Sequence, residues 1–182
     1  MIQYQLTEQA KQLKEAGTCD CTPVRGTPLS AGMDLKACLA EPLTIYPMQT
    51  VKVMTGVKVF LGGTMEWMAD SMLDGTEDVT RQLPITLCGF YLPRSSNKGL
   101  QLENTVGLLD VDFKEESFVK LYNKTEEPII ILPGDRLVQL VVVPAIMQNW
   151  LEVPEFQMIS SEGELVPAVT ERSGGDGSTG RN

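Results

Sequence analysis

Between Val51 and Val143 the chain passes through one short β-favouring run after another, each closed by Pro, Gly or a polar turn. Val51–Leu61 reads VKVMTGVKVFL, alternating with period two around Gly56. Ile85–Leu92, Val106–Phe113, Ser117–Tyr122, Ile129–Leu132 and Arg136–Val143 carry similar signals. Such alternation puts every second side chain on one face, the pattern of strands with one buried side. Many short strands joined by polar turns predict an all-β chain: a sandwich, a barrel or a jelly roll.

Other segments depart from that pattern. Residues 8–16, EQAKQLKEA, are good helix formers ended by Gly17, and predict a short helix or arm. Thr18–Ser30 is rich in Thr, Pro, Gly and Cys and reads as loop. Thr64–Gln82 is polar, with Met65, Met68 and Met72 at helical spacing beside Trp67. It reads as a short amphipathic helix: either a surface insertion packing its Met stripe on the barrel, or a face for a protein partner, since Met adapts to varied surfaces. Ser173–Asn182 has no apolar residue and reads as a flexible tail.

Composition narrows the function. Twenty-four acidic against 15 basic residues give a formal charge of -9, which argues against direct binding to nucleic acid or anionic membranes. The absence of histidine removes Ser-His-Asp and Cys-His catalysis, the HExxH zinc site and the His-containing deaminase zinc site. The longest apolar stretch, Leu137–Met147, is interrupted by Gln139 and Pro144 and is too short for a membrane span. The first residues lack the apolar block of a signal peptide, so a cytoplasmic protein is expected. Cys19 and Cys21 form a CxC while Cys38 and Cys88 stand apart, a pattern of reduced structural thiols rather than a zinc knuckle.

Five segments carry the chemistry: Ala31–Leu35 (AGMDL), Pro93–Ser96 (PRSS), Asn104–Phe113 (NTVGLLDVDF), Pro133–Leu140 (PGDRLVQL) and Arg172–Gly180 (RSGGDGSTG). Three of the six arginines, Arg94, Arg136 and Arg172, fall within them. A guanidinium fork fits phosphate oxygens, and Ser95 and Ser96 add hydroxyls beside Arg94. The glycine-rich tail lets successive N–H groups converge on an anion, with Ser178 and Thr179 adding hydroxyls. On an extended strand Asp110 and Asp112 share one face, where they can share a proton, hold a divalent cation or simply face solvent. Gln139 shares a strand face with Leu137, Val141 and Val143, whereas Arg136 points the other way on a regular strand. One of the two then serves the site and the other packing or a subunit contact.

In this order the five segments resemble the five motifs of the trimeric dUTPase family. The resemblance runs from about Ala31 to Gly180 and implies a jelly-roll-like β-barrel. It divides the chain into an N-terminal arm and loop (1–30), a β domain (31–170) with an insertion at about 64–82, and a flexible Gly-rich lid (171–182). It further implies hydrolysis of dUTP to dUMP and pyrophosphate with Mg²⁺, in a homotrimer whose active sites are shared between chains.

By the resemblance, Asp110 activates the attacking water at the α-phosphorus, and Asp34 supports the site and the water shell of the metal. Arg94, Ser95, Ser96 and Gln139 hold phosphates. Asn104 and Gly107 belong to the base-reading segment, and Phe113 stands for a tyrosine that packs on the deoxyribose. Arg172, Gly177, Ser178 and Thr179 close over the nucleotide. Two positions depart from the pattern: Glu115 replaces a glycine, and Asp176 stands where an aromatic covers the base. Those departures keep two alternatives in view. One is an enzyme of altered deoxynucleotide specificity, dCTP deaminase included; the other is a non-catalytic nucleotide-binding regulator that meets a partner through residues 64–82. A viral or phage source would place the protein in the host cytoplasm.

Overall fold

The alternating runs form strands that pair antiparallel throughout the described residues. The computed structural model describes residues 2–62, 65–68, 82–97, 99–103, 106–147, 152, 154, 157–159 and 164–167. Two units are distinguished, Met1–Met147 and Gln148–Asn182.

The first unit opens with β1 (Gln3–Leu6) and α1 (Glu8–Glu15). Thr7 caps the helix by accepting the Ala10 N–H at 3.3 Å, a contact worth about 1 kcal/mol. Ala16 is the C-cap, and Gly17 follows at φ +70°, where a side chain would be strained. Next come β2 (Val24–Arg25), β3 (Met33–Lys36), β4 (Leu43–Ile45), β5 (Thr50–Phe60), β6 (Met65–Met68) and β7 (Gln82–Pro93). The unit continues with β8 (Leu100–Leu102), β9 (Gly107–Leu109), β10 (Glu116–Asn123), β11 (Ile129–Ile131) and β12 (Arg136–Ile146). The second unit contains a hairpin of β13 (Gln157–Ile159) and β14 (Leu165–Pro167).

One sheet runs β1-β5-β10-β8 and a second runs β2-β3-β12-β7-β6, with β9 also on β7; β4 and β11 pair separately. The inward residues of both sheets make one core, including Leu35, Val53, Val57, Leu109, Leu121 and Val138. This is an all-β, jelly-roll-like architecture. A smaller cluster joins the N-terminal arm to it: Ala10, Cys19, Cys21 and Cys38 are buried together, with the Cys19 and Cys21 sulfurs 3.3 Å apart. All four cysteines are free.

Two bulges break the ladders. Glu116 pairs with Lys58 but Phe118 with Met54, so β5 carries extra residues around Gly56, which sits at φ +71°. The Glu116 carboxylate accepts the Gly56 N–H at 2.7 Å. On β12, Arg136 pairs with Lys36 and Val138 with Leu35, leaving Leu137 as the extra residue.

Three sequence expectations need correction. The strand over Val106–Phe113 is limited to Gly107–Leu109; Asp110 opens a turn closed by Phe113 N–H on its carbonyl at 3.2 Å, so Asp110 and Asp112 do not share an extended strand. Short polar side chains favour such turns over strand continuation. Met65–Met68 is strand rather than helix and pairs with Gln82–Ile85, because a backbone ladder to β7 outweighs a weak helical spacing. Residues 69–81, with Met72, lie outside the described residues. Within the expected loop Thr18–Ser30, Val24 and Arg25 form a short strand on β3.

Candidate active site

Asp34 is the centre of a polar cluster. It lies on β3, its side chain only 9% exposed, and its two oxygens meet two arginines. Arg94, just past the end of β7, approaches Oδ1 through Nε at 3.0 Å. Arg136 at the start of β12 approaches Oδ2 through Nη1 at 3.2 Å. Two guanidiniums around one carboxylate leave a local excess of positive charge in a chain of formal charge -9.

The β12 bulge assembles this cluster and corrects the expectation of opposite faces. In a regular strand Arg136 and Gln139 would diverge; the extra Leu137 returns Arg136 to the Lys36 side, and Gln139 lies opposite Asp34. Residues directly opposite on neighbouring strands share a face, so Arg136, Gln139 and Asp34 stand on one side of the sheet. Gly32 leaves room for the glutamine: a Cβ there would lie 2.8 Å from Gln139 Oε1 and 3.2 Å from Val141 Cγ2.

Ser95 and Ser96 are exposed in the turn after Arg94, closed by Asn97 N–H on the Arg94 carbonyl at 3.1 Å. Asn97 also donates its side-chain amide to the Leu137 carbonyl, tying the turn to the bulge. Arg94, Ser96 and Arg136 border a cleft of about 620 Å³ that reaches Ile130 and Asp135.

A second cleft, of about 430 Å³, lies between β9 and β10. Gly107, Leu109, Phe113 and Phe118 form its walls, and Tyr91 and Ser117 lie on its inner side. Among the described residues β9 pairs only with β7, and β10 pairs with β8 from Leu121 onward. Among the described residues, the facing edges of Gly107–Leu109 and Ser117–Val119 therefore have no strand partner. A flat ligand with donors and acceptors on its rim can fill such a gap as a strand would. Asp110 and Asp112 are exposed in the turn that follows β9.

The two clefts have no lining residue in common. The structure thus brings Asp34, Arg94 and Gln139 together, and separately gathers Gly107 and Phe113 with Asp110 next to them. Asn104, Arg172, Gly177, Ser178 and Thr179 lie outside the described residues, as does Asp176.

A family model described as dUTPase matches residues 76–173. The deoxyuridine 5'-triphosphate nucleotidohydrolase of Coxiella burnetii is 35% identical over 164 residues, covering 88% of this chain and 87% of the relative. The chain belongs to the dUTPase family. The crystal structure of dUTPase from Streptococcus mutans aligns with a TM-score of 0.57 at 26% identity, over 81% of this chain and 98% of that one. A point mutant of the dUTPase from phage phi11 of S. aureus, described with a structural Mg(II) ion, aligns with a TM-score of 0.59 over 86% of this chain and 98% of that one. At 19% identity the phage likeness is one of fold.

Within the dUTPase frame, sequence reasoning passed over Tyr91, Ser117 and Asn97. Tyr91 and Ser117 are polar residues at inward strand positions, and both are buried. The Tyr91 hydroxyl donates to Ser117 Oγ at 2.7 Å. Burial pushes the Tyr91 phenol above its ordinary value, partly opposed by that hydrogen bond. A polar side chain in the buried phase of an alternating strand was the available signal.

The described residues contain no group of three or more His, Cys, Asp or Glu side chains placed to hold a metal. Magnesium needs few protein ligands when it bridges phosphates and keeps its waters. Both Asp34 oxygens already face arginines, which fits the carboxylate to a water-mediated part rather than direct ligation.

Proposed function

We propose that the chain is a dUTP diphosphatase, releasing dUMP and pyrophosphate. The observation that carries the reading is the Asp34 carboxylate held between Arg94 and Arg136 beside the Ser95–Ser96 turn. A nucleoside triphosphate brings about four negative charges, and catalysis of its hydrolysis depends on neutralising them in a fixed geometry. Asp34 orients the guanidiniums before substrate arrives. The terminal nitrogens of Arg94, the Ser95 and Ser96 hydroxyls and the Gln139 amide then receive the phosphates.

In this reading the cleft between β9 and β10 takes the base, whose rim meets the unpartnered strand edges, and Phe113 packs on the sugar. Asn104 reads the base from the start of the same segment. Asp110, exposed at the end of β9, accepts a proton from the water that attacks the α-phosphorus. Mg²⁺, when bound with the nucleotide, would supply further charge neutralisation, with Asp34 supporting its water shell. Arg172, Gly177, Ser178 and Thr179 close over the nucleotide and exclude water.

The two clefts share no lining residue. A homotrimer resolves the separation by setting the base cleft of one chain against the phosphate cluster of its neighbour. The sheet face carrying Asp34 supports this: Phe90, Val141 and Val143 lie on it, a second apolar surface on strands whose other face already packs the core. Among the described residues β6 ends the second sheet, and its outer edge is the place for a protein partner.

Pyrophosphate release with Mg²⁺ from dUTP, UTP, dCTP, dTTP and dATP tests the reading. Release from dUTP is expected, with turnover abolished in Asp110→Ala while nucleotide binding persists. Release from a different nucleotide, or from none, refutes it.

A further inference from the structure

We propose that Ser117 sets base specificity in the cleft between β9 and β10, favouring a base edge that presents a carbonyl oxygen over one that presents an amino group. The inference rests on the reading that this cleft receives the base.

Ser117 stands where the β5 bulge disrupts the ladder to β10. Its backbone carbonyl accepts instead from the Thr55 hydroxyl at 2.7 Å. Its side-chain oxygen accepts from the Tyr91 hydroxyl at 2.7 Å. Thr55, Ser117 and Tyr91 are all buried, so the serine is pinned through both of its oxygens on the inner side of the cleft.

The direction of the Tyr91 bond decides what Ser117 can offer. A serine hydroxyl has one proton to give and two lone pairs to receive with. With a lone pair committed to Tyr91, its proton is the group still to be used, and no acceptor for it occurs among the described residues. The phenol is the more acidic hydroxyl and so the better donor of the two, and its burial keeps it protonated at neutral pH.

Leu102, Leu109 and Val119 line the cleft with Ser117, as do the ion-paired Glu103 and Lys120. Where the serine is buried, a matched donor and acceptor are rewarded, and two donors set against each other are penalised. A pyrimidine carbonyl at this point accepts the Ser117 proton. An exocyclic amino group would set N–H against O–H. The strand edges on either side offer backbone donors and acceptors alike, Glu103 and Lys120 are paired with each other, and Tyr91 is spent on Ser117, so the Ser117 proton is the buried side-chain donor still to be matched.

The test reads binding separately from turnover. Dissociation constants of the α,β-imido analogues of dUTP and dCTP are measured by calorimetry on the full chain with Mg²⁺, beside dUTP turnover of the same preparation. Wild type is expected to prefer the uracil analogue. Ser117→Ala should weaken that analogue about tenfold and leave the cytosine analogue unchanged. Tyr91→Phe removes the donor that fixes the serine, lets its hydroxyl turn, and should lower the same preference by a smaller factor. It decides the matter if Ser117→Ala does not fold. Equal weakening of both analogues in Ser117→Ala, an unchanged preference in Tyr91→Phe, or a wild-type preference for cytosine overturns the proposal. Loss of the site reading shows differently: wild type would turn over no dUTP.

Discussion

A carboxylate placed between two guanidiniums fixes both and keeps them from repelling each other. Replacing Asp34 by asparagine retains the shape and removes the charge that Arg94 and Arg136 share. We expect Asp34→Asn to lower kcat/KM for dUTP by about 10²-fold, the scale of a lost positioning group, in a protein whose circular dichroism is unchanged. Steady-state kinetics check it. Gly32→Ala acts on the neighbour: the new methyl lands 2.8 Å from Gln139 Oε1 and must displace the amide. A raised KM for dUTP is expected, with about 1–3 kcal/mol of destabilisation in urea unfolding. An unchanged KM would remove Gln139 from the phosphate contacts. The sequence pointed to Asp34, Arg94 and Gln139 because their motifs are local. It could not place Arg136 with them, because the bulge at Leu137 has no local signature and regular alternation puts the two side chains on opposite faces.

At the scale of an element, β10 is held at both ends by side chains rather than by its ladder alone. Near its start, Glu116 and Thr55 replace backbone bonds lost at the Gly56 bulge. At its end Asn123 is fully buried and uses its whole hydrogen-bonding capacity. Its amide donates to the Ile45 and Glu127 carbonyls at 2.9 and 2.8 Å, and its oxygen accepts from Thr125 N–H and Oγ1 at 2.9 and 2.7 Å. Asn123→Ala strands several buried groups at once, and about 2–4 kcal/mol of stability should be lost in urea titration. A loss below about 0.5 kcal/mol would show that water replaces these bonds. The strands of the core were legible from alternation, as in β5 and β12. β6 was not, because three methionines at helical spacing describe a face and not a backbone, and its pairing with β7 is a long-range choice.

For the whole molecule, the interior holds groups that resist ionisation. Burial pushes the Cys21 and Cys38 thiols above their ordinary value of 9.0, and the Tyr91 phenol above 10.0. Each folded value exceeds the unfolded one, so the folded state favours the protonated form. The resulting stability is complete below the unfolded values and is lost as pH rises past them. The urea midpoint should therefore hold between pH 7 and about 8 and fall above about pH 9, with a shallower fall in Cys21→Ala. A midpoint level to about pH 11 would contradict the burial of these groups.

The separation of the two clefts has a consequence for mixed populations of chains. If each site takes its phosphate half from one chain and its base half from another, two dead variants need not make a dead mixture. Chains carrying Asp34→Asn still offer an intact β9–β10 cleft, and chains carrying Phe113→Ala still offer an intact Asp34 cluster. Co-refolded in equal amounts, they should recover about a quarter of the wild-type sites, since each site draws its two halves independently. In a cell, the same arithmetic makes two different defective alleles partly curative of each other, while an allele defective in one half alone leaves half the sites working beside its normal counterpart, no fewer than separate assembly would.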